Sequence, residues 1–95
     1  MTHRQVVIRG RVQGVGFRAF VLTQAGSRGL QGWVRNLDDG SVEALFSGSG
    51  PAIDAMIAVC REGPSGSSVD VIEERAANAQ DLALARGGFA VLPTV

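Results

Sequence analysis

Polar and apolar positions alternate from residue 5 to residue 12. Val6, Ile8 and Val12 fall on one side, Val7, Arg9 and Arg11 on the other, which predicts a strand. Phe17, Phe20/Val21 and Ala25 then recur at helical spacing to about Arg28, and Gly29 suits the residue just past the helix end. Gly26 weakens the last turn of that helix. Leu30–Leu37 predicts a second strand, with Leu30, Gly32, Val34 and Asn36 on one face and Gln31, Trp33, Arg35 and Leu37 on the other. Asp38-Asp39-Gly40 is a hairpin signal, and Ser41–Ser47 returns as a third strand through Val42, Ala44 and Phe46. Ser49-Gly50-Pro51 predicts a helix start with proline at the first position. The stripe Ile53, Met56, Ile57 and Cys60 carries that helix to Gly63-Pro64. Gly63–Ser68 reads as a loop and Val69–Arg75 as a fourth strand. The alanine-rich stretch 76–86 has no decisive period, which leaves a short helix and a loop both open. Phe89–Leu92 predicts a short final strand at a sheet edge, stopped by Pro93.

The order β-α-β-β-α-β, with a short extra C-terminal edge strand, predicts an α+β fold of the ferredoxin-like kind: an antiparallel sheet with two helices on one face. At 95 residues the chain is expected to form a single domain, 1–95. A polar start that runs into the first strand without a signal-peptide core, and no run of membrane-spanning length, predict a soluble cytoplasmic protein. A monomer is expected. One cysteine excludes an internal disulfide and a cysteine-rich metal site. Zero net charge hides an asymmetry: residues 1–40 hold six arginines against two aspartates, residues 41–95 three arginines against seven acids, and there is no lysine. A basic first half suits a small anionic ligand and falls short of the basic stripe of a nucleic-acid binder.

The candidate chemistry lies in Gly10-Arg11-Val12-Gln13-Gly14-Val15-Gly16-Phe17-Arg18, whose three glycines and Arg18 fall at a strand-to-helix junction. Glycines there allow a tight turn with several N–H groups facing one way, and the helix start and arginine add positive charge. With the first helix running back along the sheet, strands one and two are parallel and end at the same sheet edge. Arg18 and Asn36, eighteen positions apart, are therefore expected to converge, Asn36 pointing to the helix-covered face. An arginine and an amide beside a backbone nest can hold a phosphate and one more polar group, such as a water.

The blocks Gly10-x-Val12-Gln13-Gly14-Val15-x-Phe17-Arg18 and Gly29-Leu30-x-Gly32-Trp33-Val34-Arg35-Asn36-x-x-Asp39-Gly40-x-Val42-Glu43 resemble the acylphosphatase family. Cys60-Arg61-Glu62-Gly63-Pro64 and the terminal strand fit its small bacterial members, so the resemblance spans nearly the whole chain. It implies that Arg18 binds phosphate, that the backbone of Gln13, Gly14, Val15, Gly16 and Phe17 cradles it, and that Asn36 orients the attacking water. The implied reaction is hydrolysis of an acyl phosphate to carboxylate and phosphate without metal or cofactor. Phosphate or sulfate is expected to occupy the same cradle.

The remaining polar residues have plainer readings. No general base is evident; His3 is expected in a disordered tail, and Asp38, Asp39 and Glu43 are expected as hairpin and surface residues. Cys60 on its apolar stripe reads as core filling, and Trp33, opposite Asn36, as packing. A catalytically silent module of the same family is the alternative. Val15-Gly16-Phe17-Arg18 also resembles the N-terminal domain of the carbamoyltransferases that mature hydrogenases, but those chains are much larger and carry zinc-finger cysteines. RNA-recognition domains share the element order, yet they stack bases on strand aromatics, where this chain offers Val7, Arg9, Arg11 and Leu45. No nucleic acid or membrane partner is expected.

Overall fold

A computed structural model describes residues 1–77 and 79–95. Its elements are β1 (Thr2–Arg11), α1 (Phe17–Ser27), β2 (Gln31–Asn36), β3 (Val42–Gly48), α2 (Gly50–Glu62), β4 (Ser68–Ala76), α3 (Ala79–Leu82), a 3₁₀ turn (Ala83–Ala85) and β5 (Phe89–Val91). They build one five-stranded sheet in the order β4-β1-β3-β2-β5. β1 pairs antiparallel with β3 and with β4, and β2 pairs antiparallel with β3, so β1 and β2 run the same way on either side of β3. β5 pairs with β2 in parallel, Gly32 opposite Phe89 and Val34 opposite Val91. The sheet is therefore mixed rather than wholly antiparallel, because the segment after β4 crosses one face before its strand is laid down.

Both long helices cover one face. Phe17, Val21 and Ala25 of α1 and Ile53, Met56, Ile57 and Cys60 of α2 close over Val6, Ile8, Val34, Val42, Ala44 and Phe46 of the sheet. Burying each large side chain of that set contributes about 1.5–3 kcal/mol. α1 ends as expected at Gly29: the Leu30 N–H donates to the Ala25 carbonyl and the Gly29 N–H to the Gly26 carbonyl, both at 3.1 Å. This Schellman closure needs the left-handed φ of +67° that glycine adopts without strain. At the start of α2 the Ser49 hydroxyl accepts from the Ala52 N–H at 3.2 Å, which makes Ser49 the cap and puts Pro51 one position further in than expected.

Of residues 76–86, whose composition leaves a short helix and a loop both open, Ala79–Leu82 is the short helix α3 and Ala83–Ala85 a 3₁₀ turn, on the opposite face of the sheet. Residue 78 lies outside the described residues. Ala77, Leu82, Ala85, Ala90 and Leu92 pack around Trp33 and Leu45, and the Trp33 indole N–H donates to the Asp81 carbonyl at 2.9 Å. Trp33, 2% exposed, is packing, as its face predicted. Beyond β5 the chain still follows β2: the Leu92 N–H donates to the Val34 carbonyl, the Val95 N–H to the Asn36 carbonyl, and the Asp38 N–H to the Val95 carbonyl.

Two expectations are corrected. β1 starts at Thr2, so His3 belongs to a strand, opposite Ser47 of β3, and not to a disordered tail. A paired backbone satisfies its own donors and acceptors, so the ladder extends through polar residues that carry no apolar alternation. Glu43 is not a surface residue: it is 8% exposed, accepts from the Arg35 guanidinium at 2.7 Å and from the Gln5 carboxamide, and Arg35 in turn lies 4.6 Å from the Trp33 ring centre.

Candidate active site

Between the end of β1 and the start of α1, residues 12–16 turn the chain. Gly14 and Gly16 adopt φ of +75° and +78°, a left-handed conformation that costs other L-residues roughly 1–2 kcal/mol. A Cβ at either would meet nothing within 4 Å, so glycine serves the backbone there and not a tight fit. Gly10 is different. It sits inside β1 where the register against β4 shifts, and a Cβ would collide with the Ser68 carbonyl. Of the three glycines, it therefore seats β4, while Gly14 and Gly16 shape the loop.

The loop leaves its donors uncommitted. The first helical hydrogen bond of α1 runs from the Phe20 N–H to the Gly16 carbonyl at 3.0 Å. The N–H groups of residues 13–18 have no acceptor among the described residues. A run of free N–H groups at a helix start is an anion-binding concavity. Arg18, half-buried in the first turn of α1, adds a full positive charge, and no carboxylate of the described residues pairs with it. The Arg4, Arg9 and Arg35 guanidinium groups, by contrast, are taken up by Asp54, by Asp39 and Glu73, and by Glu43.

Arg18 and Asn36 share one cleft of about 370 Å³ with Gln13, Gly14, Gly16 and Phe17. Asn36 is the last residue of β2, and its half-buried carboxamide makes no hydrogen bond among the described residues. Its backbone is held, carbonyl to the Val95 N–H at 3.2 Å. An arginine, free backbone donors and an unengaged amide thus meet where the parallel run of β1 and β2 brings their ends together. Val15 does not line the cleft; its side chain packs partly onto the helix-side core. Arg18 is the only ionisable side chain lining the cleft among the described residues.

Two features were not anticipated. The Gln13 carboxamide donates to the carbonyls of Leu37 and Ser41 at 2.8 and 2.9 Å, joining the loop to the β2–β3 hairpin. The cleft also takes Ala19 and Leu22 from α1 and Val91 from β5, which share helical spacing and strand alternation with core residues and gave no separate signal. His3 is remote, eight positions along β1 from Arg11, roughly 25 Å of strand. Asp39 is engaged in its own hairpin, where Oδ1 accepts the Ser41 N–H at 2.9 Å and the Ser41 hydroxyl. No group of three His, Cys, Asp or Glu side chains among the described residues could hold a metal ion.

Residues 4–90 match the family described as Acylphosphatase. A curated acylphosphatase of Bradyrhizobium diazoefficiens is 57% identical over 96% of this chain and 94% of its own length. One from Nitrobacter hamburgensis is 52% identical over 97% and 95%. The crystal structure of acylphosphatase from Bacillus subtilis superposes with a TM-score of 0.84 at 35% identity, covering 97% of this chain and 99% of that one. A structure of full-length HypF in a phosphate- and nucleotide-bound form superposes at 0.81 with 33% identity, over 98% of this chain but 12% of that one.

Proposed function

The chain belongs to the acylphosphatase family, and from that membership we propose how its cleft hydrolyses acyl phosphates: Arg18 and the free N–H groups of residues 13–17 hold the phosphoryl group, and Asn36 orients the attacking water. The observation that carries this reading is the meeting of unpaired donors of three kinds, backbone N–H, guanidinium and carboxamide, in one cleft. Nothing within the described residues uses them, and a phosphoryl group with an adjacent water would use them all.

The chemistry asks for little more. Water attacks phosphorus in line with the bond to the acyl oxygen, that bond breaks, and the carboxylate departs as a weak base that needs no proton. Both water protons end on inorganic phosphate. The transition state is loose, with charge spread over the phosphoryl oxygens, so the protein contributes mainly position and electrostatic stabilisation. The Arg18 fork and fixed N–H donors supply the second; Asn36, held at its backbone from both β3 and the C-terminal residue, supplies the first. An attacking water that gains little bond order before the leaving bond breaks needs no strong base, which suits a cleft whose one ionisable side chain among the described residues is Arg18. The same reading makes the reaction independent of metal, makes inorganic phosphate a competitive inhibitor, and gives each chain a complete site as a cytoplasmic monomer.

The deciding assay is hydrolysis of benzoyl phosphate by the purified, folded protein in excess EDTA. Sustained turnover supports the mechanism. A requirement for added metal would refute it, and no turnover at all would reduce the cleft to a phosphate-binding module without catalysis.

A further inference from the structure

The donors account for one part of the cleft, and the rest is hydrocarbon. Ala19 and Leu22, at i and i+3, present one side of α1, and Val91 faces them from β5. The alternation of β5 fixes that direction: Phe89 turns into the helix-side core, where it stacks on Phe46 at 5.9 Å between ring centres, while Ala90 and Leu92 turn to the Trp33 side. Val91 therefore shares the helix side with Phe89. Leu22 and Val91 are 39% and 43% exposed, two of the few large apolar side chains the protein leaves in water. A scattered exposed leucine needs no explanation. Two that line the same cleft as Arg18 and Asn36 do.

We propose that Ala19, Leu22 and Val91 form an acyl-group subsite that favours acyl phosphates with uncharged hydrocarbon acyl groups, aromatic or aliphatic, over those carrying a second anionic group. The proposal rests on the placement of the phosphoryl group in the 13–18 cradle. With phosphorus there, the acyl carbon chain leaves the donors and meets the remaining walls, which are apolar. Those walls offer no second cation: Arg18 is committed to the phosphoryl group and no other charged side chain lines the cleft among the described residues. A carboxylate or second phosphate on the acyl group would lose water without gaining a partner. A hydrocarbon acyl group would instead remove both its own surface and that of Leu22 and Val91 from water. The volume of about 370 Å³ lies at the small end of ligand sites, which run from about 300 to 1,000 Å³. That suits a phosphoryl group with an acyl group of benzoyl size.

The test compares kcat/KM for benzoyl phosphate, acetyl phosphate and succinyl phosphate in the wild type, Leu22→Gln, Val91→Thr and the double variant. Each substitution keeps size and suits its helix or strand, and any shared damage to the scaffold cancels in the ratio between substrates. The benzoyl-to-acetyl ratio is expected to fall roughly fivefold or more in the double variant, since a methylene in an apolar pocket is worth roughly tenfold and these walls are half open. The inhibition constant for inorganic phosphate, which touches only the cradle, is expected to stay within about twofold. Leu22→Arg, read independently, is expected to raise the succinyl-to-benzoyl ratio by placing a cation on the acyl side. Unchanged ratios in the double variant and in Leu22→Arg, with Arg18→Ala still inactive, would overturn the subsite and leave the phosphate reading intact. Wild-type rates in Arg18→Ala would overturn the phosphate reading, and the subsite with it.

Discussion

The Gln13 side chain donates to the Leu37 carbonyl at 2.8 Å, so the loop proposed to hold phosphate is fastened to the residue that follows Asn36. The second bond of the same carboxamide, to Ser41, closes the brace across the hairpin. Both carbonyls keep another donor when Gln13 is truncated, Leu37 from the Gly40 N–H and Ser41 from the Leu37 N–H. Gln13→Ala is therefore expected to cost only about 1 kcal/mol of stability, while kcat falls roughly 10- to 100-fold because two halves of a site lose their relative position. Urea unfolding and benzoyl phosphate kinetics on one sample separate the two effects. A loss of stability with full kcat would refute the brace.

Arg18 and Asn36 are expected to fail differently. Arg18→Ala should remove activity and also abolish the rise in melting temperature that inorganic phosphate gives by binding the native state. Asn36→Ala should lower kcat by about 10²–10³-fold, the usual loss for one positioned group, yet keep the phosphate-induced rise. Loss of phosphate protection in Asn36→Ala would assign it to binding and not to the water.

Acid stability is expected to depend on Asp39. The Ser41 hydroxyl and then the Ser41 N–H, with Arg9 beside them, hold its carboxyl below the ordinary value of 3.8. A carboxylate with a depressed native pKa stabilises the fold at all pH above its unfolded value and loses that contribution as pH falls through the native value. Wild-type urea midpoints should therefore drop as pH falls below the ordinary value of 3.8, and Asp39→Asn should flatten that limb. An identical slope in the variant would exclude Asp39 as a contributor.

Cys60 is expected to be inert until the protein unfolds. Burial in the α2 stripe pushes its thiol up to about 12, which leaves roughly 10³-fold less thiolate near neutral pH than an ordinary cysteine. Alkylation at pH 8 should track the unfolded fraction across a urea titration. Rapid labelling of the native protein would contradict the burial.

Much of this architecture could be read ahead because the relevant signals are short. Gly29 ends α1 through contacts within five residues, and the period of Leu30, Val34 and Asn36 places Asn36 on the helix face. Arg18 and Asn36 could be paired from topology alone, since a helix between two strands of one sheet fixes which ends meet. What escaped depends on long-range acceptors and on the route of the chain. The acceptors of Gln13 lie 24 and 28 positions away. The parallel course of β5, and with it Val91 in the cleft, depends on how Leu82 and Ala85 pack across Trp33. His3 joins its strand for a related reason: the strand is held by partners, Ser47 opposite His3 and Ala76 opposite the neighbouring Arg4, not by any pattern of its own.

The place of β1 inside the sheet, between β4 and β3, also sets the order in which the molecule can assemble. Its two neighbours are β3, which starts at Val42, and β4, which starts at Ser68. One edge of β1 thus stays unpaired until synthesis has passed Ser68, and neither partner is reachable without closing a long loop. Such non-local pairing slows folding relative to helical bundles of the same size, toward milliseconds to seconds. In this chain the glycine loop that follows β1 can take its shape only after that slow closure, so the recovery of activity on refolding should lag the formation of helix.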